Sequence, residues 1–206
     1  MIVLSAEFVK SASGASGWPP PGPREYAFCG RSNVGKSSAL NALAARKALA
    51  RVSRTPGRTR LINFFDLVVA EKTRAGGRGQ QHRLVFADLP GYGFAGGPRE
   101  EREKWQEMIE EYLTRREPLD ALVVLVDGAL GAQPSDVEMV RWGESLGKRV
   151  LAAATKIDKI SRTHRSQQLD RIAGQLAVPK VTGFSAKEHL GVDELWSALV
   201  STCGPA

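Results

Sequence analysis

Phe28-Cys29-Gly30-Arg31-Ser32-Asn33-Val34-Gly35-Lys36-Ser37 is the stretch from which the rest of the chain is read. It fits G-x-x-x-x-G-K-[ST], with a strand-like run at Tyr26–Cys29 before it and a helical pattern over Ser38–Ala48 after it. Gly30 and Gly35 permit backbone angles that wrap the chain around an anion. Successive N–H groups then point inward, and the start of the helix adds partial positive charge. In such a loop Lys36 reaches the β- and γ-phosphates of a nucleotide and the Ser37 hydroxyl ligates Mg²⁺. The loop by itself does not choose between ATP and GTP.

Outward from this loop, apolar runs and helical patterns alternate. Short apolar runs fall at Tyr26–Cys29, Leu61–Val69, Leu84–Ala87, Ala121–Val126, Val150–Ala154 and Val181–Phe184. Between them, Trp105, Met108, Ile109, Tyr112 and Leu113 are spaced i, i+3, i+4, i+7, i+8 on an acidic helix, and Val192, Leu195, Trp196, Leu199 and Val200 repeat that spacing. Ser135-Asp136-Val137-Glu138 reads as a capping box opening a further helix. This alternation predicts an α/β fold, a six-stranded, mainly parallel sheet with helices on both faces. Ser11–Arg24, rich in Ser, Gly and Pro, reads as a connector, so residues 1–24 form an N-terminal extension, 25–203 the domain and 204–206 a tail. The stretch Ala75–Gln81 reads as a hairpin tip.

Three further motifs follow in order. Asp88-Leu89-Pro90-Gly91 ends a strand with D-x-x-G, where Asp88 can hold Mg²⁺ through water and the Gly91 N–H can meet a γ-phosphate. Thr155-Lys156-Ile157-Asp158 follows another strand. A carboxylate at Asp158 can accept from guanine N1–H and the N2 amine; adenine would leave it unpaired. The Lys156 stem can lie over the base. Phe184-Ser185-Ala186 comes after the last strand, where backbone N–H groups can reach guanine O6. Between the first helix and the second strand, Thr55 and Thr59 both have the chemistry to complete an Mg²⁺ shell; Thr59, nearer the strand, is the chosen candidate.

Composition narrows the class. Of 206 residues, 42% are apolar and 25% charged, enough for a full core without disulfides. Cys29 and Cys203 are too few for a disulfide framework, which points to a reducing, cytoplasmic setting. No apolar run approaches the roughly 20 residues needed to span a bilayer, and no membrane partner is expected. The net charge is +7, yet residues 46–83 alone carry ten basic and two acidic side chains, leaving −1 for the rest. Such a localised field attracts a polyanion such as RNA. His82, His164 and His189 show no ligand spacing, which argues against a metalloenzyme.

With these residues assembled, the chain resembles the EngB/YihA/YsxC family of ribosome-biogenesis GTPases, which are translation-factor-related P-loop (Ras-like) GTPases. GRSNVGKSS (30–38), TPGRTRLINFF (55–65), DLPGYGFA (88–95), TKID (155–158) and the acidic helix 98–117 carry the resemblance, as does Ala6-Glu7-Phe8. DLPGYG together with TPGRT is far more specific than the phosphate loop. The resemblance implies GTP contacts at Gly30, Arg31, Ser32, Asn33, Val34, Gly35, Lys36 and Ser37; at Gly57, Arg58, Thr59, Arg60 and Leu61; at Asp88, Leu89, Pro90 and Gly91; at Thr155, Lys156, Ile157 and Asp158; and at Phe184, Ser185 and Ala186. Ser37 and Thr59 would ligate Mg²⁺, Asp88 through water, and Lys36, Thr59 and Gly91 would serve the reaction. The family's role implies a monomeric switch that assists large-ribosomal-subunit assembly, with precursor rRNA bound through the basic 46–83 region and a link to cell division. The alternative reading is a regulatory GTPase acting on a protein partner without direct rRNA binding. Thr155 stands where Asn is commoner, and the hairpin tip at 75–81 is longer than expected for the family.

Ras-like enzymes place a glutamine just after D-x-x-G to orient water. Here the position is Tyr92, which cannot do that work, so slow intrinsic turnover is expected. Asn33 offers one remedy: in related GTPases an asparagine at this place helps bind K⁺. A loop-stabilising bond of its side chain is the competing explanation.

Overall fold

The alternation of apolar and amphipathic runs is realised in the structure, a computed structural model that describes residues 1–50, 61–92 and 99–201. In chain order the elements are β1 (Ile2–Ala12), β2 (Glu25–Gly30), α1 (Lys36–Leu43), β3 (Ile62–Lys72), β4 (Arg78–Asp88), α2 (Arg99–Arg115), β5 (Leu119–Asp127), α3 (Pro134–Ser145), β6 (Arg149–Thr155), α4 (Arg162–Leu176), β7 (Val181–Gly183) and α5 (Val192–Val200). The strands form one sheet in the order β1-β3-β4-β2-β5-β6-β7. β4, β2, β5, β6 and β7 are parallel, while β3 runs antiparallel to both β4 and β1.

Two helix layers explain why the central strands are apolar on both sides. Ile109, Tyr112 and Leu113 of α2, Met139 and Val140 of α3, and Ile172 and Leu176 of α4 cover one face. Ala39, Leu40 and Leu43 of α1 and Leu195, Trp196 and Leu199 of α5 cover the other. All six residues of β2 are buried as a result. A strand covered on both faces reads as a continuous apolar run, as Ala121–Val126 does. No helix among the described residues is long and apolar enough to cross a membrane.

The sheet has seven strands, not the six expected. The added one is β1, taken from the segment read as an extension; Ser11 and Ala12, read as connector, belong to it. It pairs along β3 from Ile2↔Ala70 to Ala12↔Ile62. Irregularities between Val3 and Ser5 and between Phe8 and Lys10 break the two-residue alternation that would have announced it. Other boundaries shift as well. The first helix begins at Lys36 and ends at Leu43, rather than spanning 38–48. The turn of the β3–β4 hairpin is Thr73–Gly77, closed by Thr73 N–H to Gly77 O at 3.0 Å, and β4 already starts at Arg78. α3 opens with Pro134 behind the cap Gln133, whose N–H donates to Asp136 Oδ2 at 2.9 Å, so the box lies two residues before Ser135-x-x-Glu138.

At the end of the sheet where β2 begins, Glu25 is fully buried and pairs with Arg116. Arg116 Nη2 donates to Glu25 Oε2 at 2.8 Å, its Nη1 to Pro19 O at 2.8 Å, and Tyr112 Oη donates to Glu25 Oε1. The guanidinium also lies over the Trp18 and Phe64 rings. This clasp fastens the Pro-rich connector to the domain.

Candidate functional site

Five parallel strands end side by side, at Gly30, Asp88, Asp127, Thr155 and Gly183. That edge is where an open α/β sheet places its ligands. The phosphate loop leaves β2 at Gly30, where a Cβ would meet Val34 Cγ1 at 2.8 Å and the Leu125 carbonyl at 2.9 Å, so only glycine fits unaltered backbone. The loop enters α1 through Gly35 at φ +101°, and Asn33 also sits in the left-handed region at φ 64°. A non-glycine residue held there is a local cost that the surroundings must offset. They do so through the base motif: the Thr155 hydroxyl donates to Val34 O at 2.6 Å, and Lys156 Nζ donates to Asn33 O at 2.7 Å.

Lys36 and Asp88, 52 residues apart in sequence, form an ion pair between Nζ and Oδ1. Ser37, in the first turn of α1, is half-buried beside them. Hard oxygen donors, a hydroxyl and a carboxylate that bonds through water, suit Mg²⁺, which retains several waters of its own. The described residues therefore fit the expected ion. Thr55, Gly57, Arg58, Thr59 and Arg60 lie outside the described residues; Leu61, which precedes β3, is exposed.

The base end is equally built. Asp158 Oδ1 accepts from Ser185 Oγ at 2.6 Å, and the Glu188 N–H donates to that same Oγ at 3.1 Å. The Ser185 hydroxyl holds the Asp158 carboxyl below the usual carboxylate range, so it is an anion at neutral pH and an acceptor toward two donors. The backbone narrows the expected O6 contact. Phe184 N–H donates to Ala154 O and Ser185 N–H to Leu190 O, which leaves the Ala186 N–H as the one of the three without a backbone partner among the described residues.

Two acidic residues belong to this edge to which the sequence reading gave no part in the site. Asp127 ends β5 and accepts from Lys156 Nζ at 2.7 Å and from the Ala129 N–H at 3.0 Å. It had the same signature as Asp88, an acid closing a buried apolar strand. Asp136, in the first turn of α3, accepts from Tyr92 Oη at 2.9 Å. The Tyr92 side chain is packed in the core, 6% exposed.

Among the described residues of the basic window, Arg46 and Lys47 follow α1, and Lys72, Arg74 and Arg78 crowd the β3–β4 tip, which the antiparallel register puts at the end of the sheet away from Asp88. Arg83 is committed to Asp66 at 2.9 Å. Arg51, Arg54, Arg58 and Arg60 lie outside the described residues.

A family model described as "50S ribosome-binding GTPase" matches residues 25–156, which span the phosphate loop, D-x-x-G and the first two residues of the base motif. The probable GTP-binding protein EngB of Anaeromyxobacter sp. (strain Fw109-5) is 48% identical over 97% of this chain and 91% of its own length. The chain belongs to the EngB family of GTP-binding proteins. It is a P-loop GTPase, and guanine nucleotides are its ligands. Among solved structures, a probable GTP-binding protein engB is similar at TM-score 0.61 and 25% identity, over 85% of this chain and 96% of that one. Era in complex with MgGDPNP and nucleotides 1506–1542 of 16S ribosomal RNA is similar at TM-score 0.64 and 25% identity, over 89% of this chain and 58% of that one.

Proposed function

We propose that this EngB-family GTPase is a cytoplasmic, monomeric switch that assists assembly of the large ribosomal subunit. The observation that carries the nucleotide part is the double tie between base motif and phosphate loop, Thr155 to Val34 and Lys156 to Asn33. Those bonds hold the base-reading Asp158 and the anion cradle in one frame. Guanine pairs with Asp158, and its O6 takes the Ala186 N–H. Residues 30–37 cradle the α- and β-phosphates, and residues 57–61 supply further GTP contacts. Lys36 exchanges Asp88 for the β- and γ-phosphates, leaving Asp88 for hydrated Mg²⁺ together with Ser37 and Thr59. When bound, Mg²⁺ neutralises charge on the β- and γ-oxygens. Leu89 and Pro90 place Gly91 at the γ-phosphate.

Tyr92 supplies no water-orienting group, so turnover of the protein alone is slow. The Asn33 side chain makes no hydrogen bond among the described residues, which favours K⁺ binding over the loop-stabilising alternative. Turnover is expected to be faster in K⁺ than in Na⁺, and equal rates remove that role.

The ribosomal part draws on the basic window, on the matched family's description and on the rRNA in the similar Era complex. The deciding experiment is sedimentation with precursor large-subunit particles and a non-hydrolysable GTP analogue. Salt-sensitive association that weakens in the double variant Arg58→Glu, Arg60→Glu, with GTP affinity kept, is the expected result. Failure to associate would favour a regulatory module acting on a protein partner, such as a component of cell division.

A further inference from the structure

Tyr92 and Asp136 are not used by the nucleotide contacts proposed above, yet they form an enclosed polar junction at the nucleotide edge. Asp136 is 1% exposed and Tyr92 6%. One carboxylate accepts two hydrogen bonds and one ion pair: from Tyr92 Oη at 2.9 Å on Oδ1, from the Gln133 N–H at 2.9 Å on Oδ2, and with the Arg31 guanidinium, whose Nε lies 3.7 Å from Oδ2. The Gln133 bond fixes the carboxylate to the start of α3, so it cannot drift. Burial, together with the neighbouring Cys29 and Asp136, pushes the Tyr92 phenol far up, so its hydroxyl stays protonated and donates.

The three partners come from three different places. Arg31 is the second residue of the phosphate loop, Tyr92 directly follows D-x-x-G, and Gln133 caps α3. Main chain closes the junction: the Tyr92 N–H donates to Gly30 O at 3.3 Å. Gly91 packs so tightly here that a Cβ would lie 3.2 Å from Gly30 O and 3.5 Å from Ser32 N. On the other side, Trp105 Nε1 of α2 donates to Pro90 O at 3.2 Å. The Gly91 peptide is thus aimed by its neighbours on both sides.

We propose that Asp136, acting through Tyr92, is a positioning residue that sets the Gly91 N–H against the phosphate loop and so fixes the preference for a triphosphate over a diphosphate. The inference rests on the reading of Gly91 as the γ-phosphate contact. The α- and β-phosphates fall to residues 30–37, which Thr155 and Lys156 hold by separate bonds. A fault at Asp136 or Tyr92 should therefore weaken the γ-phosphate contact more than the α- and β-phosphate contacts, even though Arg31 also ties the phosphate loop to the same carboxylate. It also makes α3 the helix that feels whether a third phosphate is present.

The test compares the affinities of fluorescent GDP and a fluorescent non-hydrolysable GTP analogue for the full chain and for Tyr92→Phe, Asp136→Asn and Gly91→Ala, with the melting temperature of each. Loss of one buried hydrogen bond predicts that Tyr92→Phe weakens the GTP analogue about fivefold while GDP affinity changes less than about twofold. The same variant is expected to lower kcat more than it raises KM. Equal weakening of both nucleotides with a lowered melting temperature would show a structural brace and overturn the proposal, as would no change in either. If Asp136→Asn does not fold, Tyr92→Phe alone decides, since it removes only the hydroxyl. Gly91→Ala separates the two layers: unaltered analogue affinity there overturns the γ-phosphate reading itself, whereas selective loss in Gly91→Ala without loss in Tyr92→Phe overturns only the role of Asp136.

Discussion

The two ends of the parallel strands handle charge in opposite ways. Where β2 begins, Glu25 and Arg116 are 0% and 4% exposed, and their remaining groups are spent on Tyr112, Pro19 and two aromatic rings. Where β2, β4, β5 and β6 end, Lys36–Asp88 and Lys156–Asp127 keep their lysine side chains 12% and 30% exposed. The first pair has nothing left to offer a ligand. The second two are held in place but still reach solvent, so each can exchange or share a partner. A buried pair exhausted by its surroundings is a fastener, and a half-open one is a working part.

Four measurements can break or sharpen this contrast. The largest effect is expected at the closed end. Arg116→Ala strands the Glu25 charge in the core and should cost about 3–5 kcal/mol of stability by denaturant unfolding. The folded fraction should still bind GDP with unchanged affinity. Next comes Asp158→Asn at the open end. Losing a charged acceptor for two guanine donors should weaken GDP by about 2–3 kcal/mol, while xanthosine diphosphate improves, as competition binding would show. Smaller again is Asp127→Asn, which leaves Lys156 with Asn33 O alone; GDP dissociation measured by stopped flow should rise about fivefold to tenfold.

The smallest effect is a pH dependence. Ser185 lowers the Asp158 pKa below its ordinary value near 3.8. A lowered carboxylate pKa means that the favourable charged form is present above that value and is lost only as pH falls through the folded pKa. Guanine binding should therefore be flat through neutrality and mildly acidic pH. Ser185→Ala should move the acid limb of the binding curve upward, a shift that titration of GDP affinity would reveal.

Much of this was legible from residues alone, for a physical reason. Phosphate binding needs glycines and a lysine at set places, and base reading needs an acid after a strand, so Gly30, Lys36, Asp88 and Asp158 stand out in the sequence as candidates, and the structure places them at one edge of the sheet. The helix stripes of α2 and α5 were equally plain, because one-sided burial leaves a 3.6-residue period. What was hidden depends on distant partners. Nothing near Asp136 in sequence points to Tyr92, 44 residues earlier. Asp127 looks like an ordinary strand end until Lys156 is folded onto it. β1 was missed because it is an edge strand with an irregular register, so its burial never becomes a clean alternation. α1 begins earlier than its apolar pattern because the phosphate loop itself, through Gly35, starts the helix.

β1 has one further consequence. Its outer side presents main chain that no described strand pairs, together with Phe8 and Val9, which are 55% and 45% exposed, a combination that invites strand addition between copies. The two register irregularities twist that border out of line, and Glu7 and Lys10 place opposite charges along it. The border is thus guarded against fibril growth by its own unevenness, and a straighter, uncharged β1 would trade solubility for regularity.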